Sequence, residues 1–201
     1  MEHEPVSIGV ILASVRAQRR GEAFARWALD KVAGSGPGRP GVTVELLDLR
    51  DWPIPPFDHL ASAVVAEKSY APASVAARWA QKIAALDGFV IVTPEYNQGY
   101  PGQLKNALDQ IYAPWNYKPV AFVAYGGGAS GTRATQQLRQ VVIELRMIPV
   151  RDDVGIRLAG LTTDERGWPT EDFYAKRGDA MANELVWWTR AAKDVRARRS
   201  R

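Results

Sequence analysis

Glu95, Tyr96 and Asn97 put a carboxylate, a flat phenol ring and a carboxamide side by side, in a loop that also holds Pro94, Gly99 and Pro101. An aromatic plate next to a group that both donates and accepts hydrogen bonds suits a planar heterocycle. Upstream, Ser14, Arg16, Arg19 and Arg20 fall within seven positions and end at Gly21. A hydroxyl, guanidinium groups and the unpaired N–H groups of a helix start are the donors a phosphate monoester needs. Neither the lysine-bearing loop that cradles triphosphates nor the three-glycine dinucleotide fingerprint occurs here. A mononucleotide phosphate is therefore favoured over a triphosphate or a pyrophosphate. Downstream, Tyr125, Gly126, Gly127 and Gly128 let backbone N–H groups come close to a flat ring, as an anionic reduced flavin would require at its pyrimidine end. Each group also has a structural reading. The basic run can be a solvated turn, Glu95 can simply cap backbone, and the glycines can form a plain turn. Lys105 and Asp109, four apart on a helix, read as a surface ion pair.

The elements that position these groups are legible from hydrophobic spacing. Apolar, β-branched runs at 6–13, 89–93 and 119–125 precede the three loops, as strands buried on both faces do. Helical stripes follow each loop: Ala25, Ala28, Leu29, Val32; Leu104, Ala107, Leu108, Ile111; and Leu138, Val141, Val142, Leu145. A second strand at 42–47 ends at Asp48, and a helix at 74–86 faces Val75, Trp79, Ile83 and Leu86 inward. The glycine- and proline-rich stretch 34–41 is a turn cluster. A short fifth strand lies within 147–154, a loop covers 158–169, and a last helix at 171–196 carries the stripe Met181, Leu185, Trp188, Ala192, Val195. Alternating strands and helices predict an α/β domain spanning 1–201: a five-stranded parallel sheet with helices on both faces, in the flavodoxin-like order 2-1-3-4-5. Strands one and three then meet at the switch point, where ligands bind at the carboxyl edge.

Composition narrows the classes further. Hydrophobic residues make up 46% of 201, which excludes a disordered chain. Cysteine is absent and the histidines are His3 and His59, so thiolate chemistry and a histidine metal cluster are excluded. No apolar run approaches the roughly 20 residues of a bilayer span, and a cytoplasmic chain without membrane partners is expected. The net charge of +4 owes much to the four arginines in 196–201, read as a solvated helix end rather than a nucleic-acid surface.

SVRAQRRGEAFARWA, TPEYNQGYPGQLKNALD and YGGGASGTRA, in this order, resemble the NADPH-dependent FMN reductase family over residues 6–150. The resemblance implies non-covalent FMN and hydride transfer from NADPH or NADH to the flavin. A small-molecule acceptor (a flavin, quinone, azo dye or metal oxyanion) would then be reduced in a ping-pong cycle without a catalytic side chain. It places Ser14, Arg16 and the following turn on the phosphate, Pro94, Glu95, Tyr96 and Asn97 along the ring, and Gly126 and Gly127 at its other edge. Many members carry a small hydroxyl residue where Arg19 stands, which leaves that phosphate contact to backbone. Trp187 and Trp188 lie beyond the shared pattern. The family also implies a homodimer or homotetramer, and Trp52, Ile54, Phe57, Tyr112, Trp115 and Tyr117 are the apolar side chains expected at its seam, an intramolecular lid over the second strand being the alternative for residues 51–58. A flavodoxin-type electron carrier without turnover is the alternative, and the positive net charge speaks against it.

Overall fold

The computed structural model describes residues 4–34 and 38–199. In chain order it contains β1 (Val6–Leu12), α1 (Gly21–Ala33), β2 (Val42–Asp48), α2 (Ala63–Ala66), α3 (Val75–Ala84) and β3 (Gly88–Pro94). α4 (Gly102–Asp109), β4 (Pro119–Gly126), α5 (Thr132–Glu144), β5 (Ile148–Pro149), β6 (Val154–Arg157) and α6 (Asp172–Arg199) follow. Of the turn cluster 34–41, residues 35–37 lie outside the described residues, as do the last two residues of the basic tail.

Every ladder is parallel and the order is β2-β1-β3-β4-β5, with β6 also on β4. Side chains alternate across the pleat. Ile8, Val10, Leu12, Val90 and Val92 face α1 and α6, whereas Ile11, Ala13, Phe89 and Ile91 face α3, α4 and α5. Both faces of the central strands are therefore dry, which is why they read as unbroken apolar runs. Register decides where the loops emerge. Leu12 pairs with Asp48 on one side and Val92 on the other, and Pro94 pairs with Tyr125. The loops after β1, β3 and β4 thus leave the same carboxyl edge together.

Four expectations change. The fifth strand is two short pieces: Ile148 and Val150 donate to β4, but the next donor in phase, the Asp152 N–H, bonds to the Glu184 carboxylate instead, as does the Arg151 N–H on the outer side. The edge ladder breaks there and resumes at Val154. The inward stripe of α6 is Met181, Ala182, Leu185, Val186, Thr189 and Ala192, all buried, whereas Trp188 and Val195 are 37% and 63% exposed. Thr189 already packs against Gly88, the first residue of β3, so the last turns of α6 outrun the sheet. The tail is not wholly a solvated end either. Lys193 and Arg196 both pair with Asp87, and Arg196 donates to the Tyr117 carbonyl. Trp115, expected at a seam, is fully buried in the core, with its indole N–H bonded to the Leu108 carbonyl.

Candidate functional site

A cleft of about 350 Å³ opens at the carboxyl edge. It is lined by Ser14, Arg16, Arg19, Arg20, Pro94, Glu95, Tyr96, Tyr125, Gly126 and Gly127, all of them residues that the sequence singles out.

The loop after β1 is braced from below. Arg19 folds back under it, with a side chain only 4% exposed. One Nη donates to the Ser14 carbonyl at 2.8 Å, and both Nη atoms clasp the Asp48 carboxylate at the end of β2. Burial would raise the Asp48 carboxyl, but the hydrogen bonds from Arg19 and from the Arg50 N–H outweigh it and hold it below the usual range. The bond to Asp48 raises Arg19 in turn. Arg19 is therefore neutralised by its partner and acts as a brace for the loop. Arg16 and Arg20 differ: both are exposed, and neither pairs with a carboxylate among the described residues. The Arg16 guanidinium lies 5.7 Å from the Tyr96 ring centroid. α1 begins at Gly21 with no side chain capping its first N–H groups. An uncapped helix start and two guanidiniums that lack a carboxylate partner among the described residues are the kinds of donor an anion calls for.

The floor is a hydroxyl cluster. Ser14 Oγ and Tyr96 Oη share a hydrogen bond at 3.1 Å, tying the first loop to the second. Burial, then the neighbouring Tyr96, pushes the Tyr125 phenol up to about 12, so it stays a neutral hydroxyl. Gly21 is outside the cleft lining and has a different reason to be glycine: a Cβ there would collide with the Tyr125 hydroxyl. The start of α1 can approach β4 only without a side chain.

Asn97 is also outside the cleft. Tyr96 and Gly99 bond to each other across a tight turn at 2.7 and 2.9 Å, with Asn97 at φ 49° and Gln98 at φ 71°. Left-handed backbone at both central positions favours asparagine at the first, so backbone geometry accounts for Asn97, whose side chain is exposed. Glu95 caps a helix, but not the one that follows it. Its carboxylate accepts the Arg133 N–H at 3.1 Å and pairs with the Arg133 guanidinium, closing the start of α5. Lys105 and Asp109 form the expected surface pair. Two wall residues, Gln18 and Leu158, were not among those singled out by type and spacing. Leu158 follows β6 and its N–H bonds to the Gly126 carbonyl at 2.9 Å, so only recognition of that short strand would have found it.

The donor set fits the phosphate of a mononucleotide, and the second and third loops leave room for its ring. A Cβ built on Gly127 meets nothing within 4 Å, so the third loop is open to a flat group. The carbonyl edge at the junction of β1 and β3 is also where the fold concentrates its ligand chemistry.

Comparison with known proteins agrees. An NAD(P)H-dependent FMN reductase of Schizosaccharomyces pombe is 41% identical over 138 residues, covering 69% of this chain and 66%, just under two thirds, of that protein. A quinone reductase of Pseudomonas putida is 32% identical over 147 residues, covering 70% of this chain and 72% of its own. The solved structure of FerB, a flavoenzyme NAD(P)H:(acceptor) oxidoreductase from Paracoccus denitrificans, superposes with a TM-score of 0.73 at 21% identity, covering 93% of this chain and 98% of its own. The model of the NADPH-dependent FMN reductases matches residues 6–159, and the chain belongs to that family.

Proposed function

We propose that the cleft binds FMN and that the protein passes reducing equivalents from NAD(P)H to a flavin, quinone, azo or similar small acceptor. The observation that carries this reading is the juxtaposition, in one cleft, of two guanidiniums without carboxylate partners among the described residues and the Tyr96, Gly126 and Gly127 surfaces. Bound FMN supplies reversible hydride acceptance, which no side chain here can provide. The protein's share is position and electrostatics. Arg16, Arg20 and the first N–H groups of α1 hold the phosphate. The Arg19–Asp48 clasp fixes the Ser14 carbonyl, and with it the loop that presents those donors. Pro94, Tyr96, Gly126 and Gly127 flank the ring. Tyr125, held neutral, lies beneath without exchanging a proton at working pH. No general acid or base is assigned, as a ping-pong exchange of hydride requires none.

The assembly expected is a homodimer or homotetramer in the cytoplasm, where NAD(P)H is supplied. Trp52 packs on Trp79 inside its own subunit, so the support for a seam comes from its neighbours. Leu60 is fully exposed, and Val64 and Val65 are exposed on α2 of the same excursion. Steady-state NADPH oxidation by the FMN-loaded protein with a soluble quinone tests the reading. Turnover supports it, whereas FMN binding without turnover would leave an electron carrier.

A further inference from the structure

A second hollow of about 330 Å³ lies across the first loop from the cleft. Val15 lines it, while the flanking Ser14 and Arg16 line the cleft, so the loop is a shared wall. Its other sides are Arg50, Trp52, Ile54, Gln103 and Asn106. Arg50 is exposed and hydrogen-bonds the Val15 and Arg16 carbonyls. Carbonyls take its protons without neutralising its charge. The nearby carboxylate, Asp48, is already clasped by Arg19. Trp52 is half-buried, held edge-on against Trp79 at 5.1 Å between centroids, which makes it a fixed plate. Asn106 is committed to the Ile54 and Pro55 carbonyls and the Phe57 N–H, so it stiffens the rim. Gln103 is exposed on the first turn of α4, whose start has no side-chain cap.

A guanidinium with no carboxylate partner among the described residues, a rigid indole and a carboxamide around one hollow are what an aromatic base carrying an extra phosphate requires. We propose that this hollow receives the adenosine 2′-phosphate end of NADPH, with Arg50 reading the 2′-phosphate and Trp52 lying against the adenine. A guanidinium beside the ribose is the general device by which a site tells NADPH from NADH. The inference rests on the reading of the cleft as an FMN site served by a nicotinamide nucleotide, and it names the residues that select between the two reductants.

The test is calorimetric titration of the FMN-loaded protein with adenosine 2′,5′-bisphosphate and with adenosine 5′-monophosphate, alongside FMN titration of each variant. The bisphosphate is expected to bind at least tenfold more tightly than the monophosphate. Arg50→Ala should cut that preference to within about twofold while FMN affinity stays within about threefold, and Arg50→Lys should retain part of the preference. Trp52→Leu should weaken both nucleotides by similar factors. Equal binding of the two nucleotides to the unaltered protein would overturn the inference, as would a preference that survives in Arg50→Ala. Loss of FMN and bisphosphate together in Arg50→Ala would also overturn it, by making Arg50 a brace of the first loop. If the unaltered protein bound no FMN yet preferred the bisphosphate when FMN-free, the FMN reading would fall and the assignment of the hollow would stand.

Discussion

At the scale of single residues, the three arginines of the first loop separate by what pairs with them. Arg19 has Asp48, and Arg16 and Arg20 have no carboxylate among the described residues. Arg16→Ala should weaken FMN by about 1.5–3 kcal/mol, the scale of a hydrogen bond to a charged group. Riboflavin, which lacks the phosphate, should be nearly unaffected; paired titrations of the two ligands check this, and equal losses would move Arg16 off the phosphate. Asp48→Asn should act differently, because it strands a guanidinium that is 4% exposed. The carboxylate itself is 15% exposed, so the loss should fall below the full buried-pair figure, at about 1–3 kcal/mol. The sign with pH follows from the lowered Asp48 pKa. The clasp contributes fully above the unfolded carboxyl value and fades as pH falls through the folded one. Urea unfolding of both proteins from neutral to acid pH should show their stabilities converging at the acid end.

At the scale of elements, the close approach of α1 to β4 depends on Gly21. Gly21→Ala should lower the unfolding midpoint, since its Cβ meets the Tyr125 hydroxyl. Tyr125→Phe removes that hydroxyl and should restore most of the loss in the double variant. A thermal-melt cycle of the four proteins measures the coupling, and strict additivity would refute the contact. At the opposite edge, Lys118 is buried, donates to the Ile83 and Ala84 carbonyls, and is lowered by that burial to about 7. Its folded pKa lies below its unfolded one, so the unfolded chain binds more protons between roughly 7 and 10.5. Stability should therefore rise with pH across that window, by up to about 1.4 kcal/mol per unit. Lys118→Met should flatten the slope in denaturant unfolding from pH 7 to 9.5. Elements of this kind also mark how far the sequence could be read. β1, β3 and β4 were plain because both of their faces are dry. β5 and β6 were not, since a long-range carboxylate, Glu184, takes the backbone donors between them. The cleft was legible because register brings its three loops together. Asn97 stays open to two readings, because a left-handed turn and a ring contact favour the same residue type. The brace role of Arg19 needed the position of Asp48, 29 residues away.

For the whole molecule, two nucleotide-sized hollows share one loop, which Arg19 braces from beneath, while the exposed Arg50 lies on the side of the second hollow. The stiff, proline-rich excursion after β2 lies against α4 rather than in solvent because the Asn106 carboxamide donates to the Pro55 carbonyl and accepts the Phe57 N–H. The exposed Leu60, Val64 and Val65 extend from that excursion. Leu60→Asp together with Val65→Lys should shift sedimentation toward a monomer if this apolar edge is a seam, and an unchanged profile would place the seam elsewhere. The central claim remains the FMN site, and the direct measurement is visible absorption of the purified protein titrated with FMN and then with NADPH without oxygen. The account predicts a saturable shift of the flavin band at one FMN per chain, weakened in Arg16→Ala, and bleaching of that band on NADPH. An FMN spectrum that stays that of the free compound, at any protein concentration, would contradict it.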